Sequence, residues 1–167
     1  NTTNDMAVLS GSAGTVTLGS DATLRALLFD STGDYTISGS QSLNFGPGGW
    51  ITNSVQNVDP IITTAITGSP SVGIPDGSTS NEGLTFAPTS GNQILGLCTI
   101  PYNDADGGDK CRMTIGGTTT GNTIAKIQKQ HNYANVYKEG TGTWTLLGDV
   151  DVGSIYLQAG RLVLNGT

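Results

Sequence analysis

Little in this chain is charged. Charged residues make up 12% of its 167 residues, and 7 basic against 13 acidic side chains leave a formal net charge of −6. A field of that sign repels phosphate backbones and anionic headgroups, so nucleic acid and membrane surfaces are not expected partners. No stretch approaches the roughly 20 apolar residues that span a bilayer, so membrane insertion is not expected either. The opening Asn1-Thr2-Thr3-Asn4-Asp5 has neither the basic nor the apolar segment of a signal peptide, and no Met precedes it. We read the chain as a mature product or an excised piece of a longer one. Catalytic residue types are equally scarce. Histidine occurs once, as His131 in Lys129-Gln-His-Asn-Tyr133, with no carboxylate or nucleophile marked by the sequence as its partner. No Gly-x-Ser-x-Gly elbow is present, and the only glutamates, Glu82 and Glu139, do not form a facing carboxylate pair for glycoside hydrolysis. The expectation is a protein that is not an enzyme.

What the chain does contain is glycine, 25 residues of it, together with much Ser, Thr and Asn, a balance typical of short strands joined by tight turns. Candidate strands recur along the whole length. The clearest are Thr15-Val-Thr-Leu18, Leu24-Arg-Ala-Leu-Leu-Phe29, Tyr35-Thr-Ile37, Leu43-Asn-Phe45 and Ile61-Ile-Thr-Thr-Ala-Ile66. Beyond these lie Leu84-Thr-Phe86, Ile94-Leu-Gly-Leu97, Arg112-Met-Thr-Ile115, Thr143-Trp-Thr-Leu146, Ser154-Ile-Tyr-Leu157 and Leu162-Val-Leu164. Asn-Gly or Asp-Gly pairs, the usual hairpin turns, occur only at Asp76-Gly77, Asp106-Gly107 and Asn165-Gly166, never between two clean adjacent strands. Between strands stand corners such as Ser38-Gly39-Ser40, Thr141-Gly142 and Ala159-Gly160. This pattern favours an all-β, single-domain β-solenoid over residues 1–167 rather than a sandwich of hairpins. The rhythm breaks at 68–80, rich in Pro, Gly and Ser, and at 98–111; both read as loop insertions on the stack. Residues 122–137 lack a sustained helical face and read as irregular strand.

The only cysteines, Cys98 and Cys111, flank the second insertion. Bridging them would close a short loop and stabilise by about 3 kcal/mol, which would imply an oxidising compartment outside the cytoplasm. The alternative is two buried free thiols. Inside that loop Asp104, Asp106 and Asp109 bring three carboxylates close enough in sequence to converge on Ca²⁺. The spacing lacks the closing Glu of an EF-hand, and a solvated turn accounts for it equally simply. No other cofactor is expected. Trp50, Trp144, Tyr102, Tyr133 and Tyr137 could present rings to a polysaccharide or serve as core fillers. Asn1-Thr-Thr3 and Asn165-Gly-Thr167 fit the N-glycosylation pattern.

One phrase carries a more specific signal. Lys138-Glu-Gly-Thr-Gly-Thr-Trp-Thr-Leu-Leu-Gly148, followed by Val152-Gly-Ser-Ile-Tyr-Leu-Gln-Ala-Gly-Arg-Leu-Val-Leu-Asn-Gly166, resembles the autotransporter-associated β-strand repeat of bacterial passenger domains and large surface proteins. The segment from Val16 to Gly39 is similar, less specifically, to stretches that precede such repeats. The spacer Asp149-Val-Asp151 is shorter than the family's, and no C-terminal membrane barrel follows. The resemblance implies a right-handed parallel β-helix, secretion to the bacterial cell surface and a display or scaffold role, with no shared catalytic residues. In Thr143-Trp-Thr-Leu146 alternation sends Trp144 and Leu146 inward and the threonines outward. Leu162 and Leu164, or Ile155 and Leu157, would fill the layer about 4.8 Å further along the axis. Because no coil buries its own apolar face, the ends of such a stack are adhesive. The expected function is therefore an extracellular structural module, in a surface protein or filament, that stacks end to end on further coils. The alternative is a carbohydrate-binding or carbohydrate-active β-helix whose inserted loops, around 70–76 and 98–111, wall a groove.

Overall fold

The computed structural model describes residues 5–55, 58–73, 83–100, 111–129 and 134–166. Among these residues every regular element is a strand, and the chain passes back and forth between two sheets, with β7–β8 and β14–β15 successive in the larger one. The first coils are β1 (Met6–Gly11) with β2 (Gly14–Thr17), β3 (Ala22–Ser31) with β4 (Tyr35–Ser38), and β5 (Ser42–Asn53) with β6 (Ile61–Ile62). Then follow β7 (Ala65–Thr67) and β8 (Ser71–Gly73) with β9 (Gly83–Phe86), and β10 (Ile94–Ile100) with β11 (Cys111–Ile115). The last are β12 (Asn122–Lys129) with β13 (Ala134–Lys138), β14 (Thr143–Leu146) and β15 (Val150–Asp151) with β16 (Ser154–Leu157), and finally β17 (Arg161–Leu164). The larger sheet runs β1-β3-β5-β8-β10-β12-β14-β17, with β7 beside β5 and β15 beside β12; the smaller runs β16-β13-β11-β9-β6-β4-β2. Neighbouring strands are parallel, so each strand pairs with the one a full coil away, and the chain is a parallel β-solenoid. The coil length is not fixed: the register steps by 29 residues from Ile94 to Thr123 but by 18 from Thr143 to Arg161. Longer coils carry their extra residues in the connections, where a stack tolerates them.

Stacking turns the alternation of each strand into columns. In the smaller sheet Ile37, Ile62, Phe86, Ile115 and Lys138 form one inward column, and Leu84, Met113 and Val136 another; all are buried. The larger sheet departs from simple alternation in a consistent way. Its buried residues fall three apart at Leu95 and Cys98 and at Ile124 and Ile127, leaving two intervening residues where period 2 allows one. The β3–β5 pairing shifts register at the same place, between Leu24 and Ala26. The strands that span the sheet, β3, β5, β10 and β12, thus break phase in step, as aligned bulges do, and the sheet is divided into two arms. At two positions of the kink there is no room for a side chain: a Cβ on Gly96 would stand 2.5 Å from Ser69 O, and one on Gly148 would stand 2.5 Å from Ala125 O.

Two readings of the sequence are corrected here. The stretch 68–80 is not all loop, because β8 sits between β5 and β10 in the larger sheet; residues 74–82 lie outside the described residues. Residues 122–137 hold regular strands, β12 and β13, which belong to opposite sheets. The prediction for the repeat phrase holds in part. Trp144 and Leu146 are buried, with Leu162 and Leu164 stacked directly on them. Ile155 and Leu157 extend the other sheet, against Val136 and Lys138.

Candidate functional site

The glycines of the repeat phrase form a corner. Gly117, Gly140 and Gly160 lie one above another with φ of 79°, 63° and 70°, a backbone region that costs an L side chain about 1 kcal/mol or more. Against the Gly140 carbonyl lies Lys138, the one buried lysine among the described residues. Its ammonium donates to Glu139 O at 2.6 Å, Gly140 O at 3.1 Å and Ala159 O at 3.0 Å, so each of its protons has an acceptor. Burial pulls its pKa below the ordinary lysine range, and the neighbouring Glu139 carboxylate opposes that shift. Lys138 therefore fills an interior column position and ties two coils together at their corner. Sequence reasoning gave Lys138 no interior role, although its place two residues after Val136 already put it in the inward phase.

A second polar group lies wholly inside. Asn122 Nδ2 donates to Thr119 O and Thr143 O, and its Oδ1 accepts from Gln93 N at 2.9 Å. Gln93 Nε2 donates in turn to Ile62 O and Thr64 O. These amides occupy the inward column between Ile66 and Trp144 and donate to backbone carbonyls at or beside the strand ends.

The last coil breaks the burial pattern. Leu157 continues a column in which Phe86, Ile115 and Lys138 are fully buried, yet it is 59% exposed. Leu164 stacks on Leu146, which is 1% exposed, and is itself 59% exposed. Tyr156 is 44% exposed and stacks on Tyr137 at 4.7 Å between ring centroids, with the Arg112 guanidinium 4.2 Å over Tyr137 and ion-paired to Glu139. Beside Leu164, Gly148, Asp149, Val150 and Gly166 line a shallow open hollow. At the other end Ala7, Leu9 and Val16 are half-buried, and Met6 and Val8 of β1 are exposed. The apolar interior thus reaches solvent at the end of the stack.

The residues singled out in the sequence do not gather into another site. Trp144 is interior and donates from Nε1 to Gly116 O at 2.8 Å, Trp50 lies on the outer face of the larger sheet, and Tyr137 lies on the outer face of the smaller one. Tyr102, Tyr133, His131, Glu82, Asp104, Asp106, Asp109, Asn1 and Thr167 lie outside the described residues. Cys98 is a free, buried thiol, so the expected Cys98–Cys111 bridge is not formed in this structure. Cys98 lies within the larger sheet beside Val72 and Ile127, while Cys111 opens β11 in the smaller one.

No family model matches the chain, and no curated protein or solved structure matches it.

Burial pushes the Cys98 thiol far above the usual thiol range, which leaves almost no thiolate to react. Iodoacetamide at about pH 8.5, near the usual thiol pKa, should leave Cys98 unmodified in the folded protein and label it fully in denaturant without reductant, as read by peptide mass spectrometry. Labelling that requires prior reduction would mean a disulfide and would overturn this assignment.

Proposed function

We propose that the chain is a non-enzymatic structural module, a length of β-solenoid that works by stacking its terminal coils on further coils in a surface scaffold or filament. One observation carries the reading: Leu157 and Leu164 stack on Lys138 and Leu146, which are buried, and both lie open. Apolar surface of that kind, backed by edge strands with unpaired N–H and C=O groups, is a template for another strand. The resemblance of 138–166 to the autotransporter-associated repeat supports the same reading and is the sole ground for placing the protein at a bacterial surface, since Cys98 gives no sign of an oxidising compartment.

Sedimentation velocity and negative-stain electron microscopy over a range of concentrations test it. The purified chain should self-associate into rods that lengthen with concentration. The double variant Leu157→Asp, Leu164→Asp should keep its far-ultraviolet circular dichroism and associate at least about a hundredfold more weakly, because burying a leucine contributes about 1.5–3 kcal/mol. A chain that remains monomeric up to millimolar concentration would overturn the proposal.

A further inference from the structure

We infer that the corner around Lys138 is a monovalent-cation site, a cradle of main-chain carbonyls that the chain fills with its own ammonium and that takes a free alkylammonium ion when the side chain is removed. The position is an unusual one for a charge. Lys138 stands in the inward column that carries Phe86 and Ile115, and it is as completely buried as they are. An ion in an apolar interior is costly unless it is paired. Among the described residues no carboxylate touches the ammonium, and the neighbouring Glu139 carboxylate is ion-paired to Arg112. Compensation comes instead from Glu139 O, Gly140 O and Ala159 O, at 2.6, 3.1 and 3.0 Å.

Every one of these acceptors is a backbone oxygen, drawn from two consecutive corners, so the cradle is set by the fold and outlasts deletion of the side chain. Its closure depends on glycine. A Cβ on Gly160 would stand 2.8 Å from the ammonium and 2.6 Å from Gly142 O, and would fall on Gly140 O. Without that Cβ the following corner closes over the cation. Backbone carbonyls gathered in this way replace the hydration shell of a monovalent cation. Three acceptors also match the three protons of a primary ammonium. In the parent chain the tether makes occupancy intramolecular, so ions in solution do not displace it. A coil with the same corner and a short side chain in place of the lysine would draw its cation from solution.

Chemical rescue tests the cradle. Lys138→Ala leaves the carbonyls without a partner and should lower the folded-to-unfolded ratio by at least about a hundredfold in urea denaturation. Propylammonium replaces the atoms that the substitution removes. At roughly 100 mM it should return about tenfold of that loss, corresponding to a dissociation constant of about 10 mM. Tetramethylammonium carries the same charge but has no N–H to donate, and at the same ionic strength it should return nothing. Lys138→Met fills the column with an apolar chain and should respond to neither salt, and the parent should be indifferent to both. Stability equal to the parent's in Lys138→Ala, failure of that variant to fold in propylammonium, or an equal effect of the two salts on it would each overturn the site. So would a response of Lys138→Met equal to that of Lys138→Ala, since the amine would then be acting on the chain at large.

Discussion

Replacing Trp144 with alanine is expected to unfold the last coils while the middle of the solenoid stays folded. Trp144 is the largest fully buried side chain, and it stacks between Asn122 and Leu162 in an inward column. Truncating a buried Trp costs about 3–5 kcal/mol, and Gly116 O loses the indole N–H as well. Stability in a solenoid is close to a sum of coil and nearest-neighbour terms, so such a loss stays near its origin. The coil of β14–β16 is flanked on one side only by the half-coil β17, which leaves it little to draw on. Native-state hydrogen exchange should show protection at Thr143–Leu146 and Arg161–Leu164 falling by at least about a hundredfold, with Gly83–Phe86 and Ile94–Ile100 unchanged. Trp144→Phe keeps most of the apolar volume and should give a much smaller drop. A uniform loss of protection along the chain would show that the coils unfold as one unit.

The same residue marks how far the sequence could be read. Around Trp144 period-2 alternation is unbroken and the corner glycines are close by, so strand and face were legible, while the stacking partners stayed open between Leu162 with Leu164 and Ile155 with Leu157. In the larger sheet the alternation is interrupted by the shared kink. Ile124 and Ile127 are both interior with two exposed residues between them, which obscured β12 as a regular strand. Only the neighbouring rungs fix that phase. β8 is hidden for a different reason: Ser71, Val72 and Gly73 carry too few apolar residues to signal a strand, and β5 and β10 impose the extended conformation from either side. The cysteines misled because closeness in sequence says nothing of which sheet each one enters. Of the candidate site, the idea of open ends followed from the repeat, but which residues stack on which depends on register, which no single strand records.

Gly117→Ala is expected to be a severely damaging small substitution, costing on the order of 4–5 kcal/mol. A Cβ there would fall on Pro88 O, 2.5 Å from Pro88 N and 2.7 Å from the carbonyl carbon of Ala87, all backbone atoms that cannot swing aside. The residue also has φ of 79°. Two other glycines separate these effects. Gly11 has φ of 95° but nothing within 4 Å of its Cβ position, so Gly11→Ala should show the conformational penalty alone, about 1 kcal/mol. Gly19 has open space and no unusual φ, so Gly19→Ala should be neutral or stabilise by up to about 1 kcal/mol. Urea denaturation of the three variants gives the ordering directly. If Gly117→Ala proves as mild as Gly11→Ala, the corner yields and is not close-packed. If the ordering holds, the consequence differs from that at Trp144, because Gly117 has coils on both sides. The carbonyl of Gly117 lies against Gly140, whose own carbonyl holds Lys138, so a displaced corner disturbs the next two coils together. Protection should then be lost from β9 through β14, in the interior of the stack, while the N-terminal coils from β1 to β5 retain theirs.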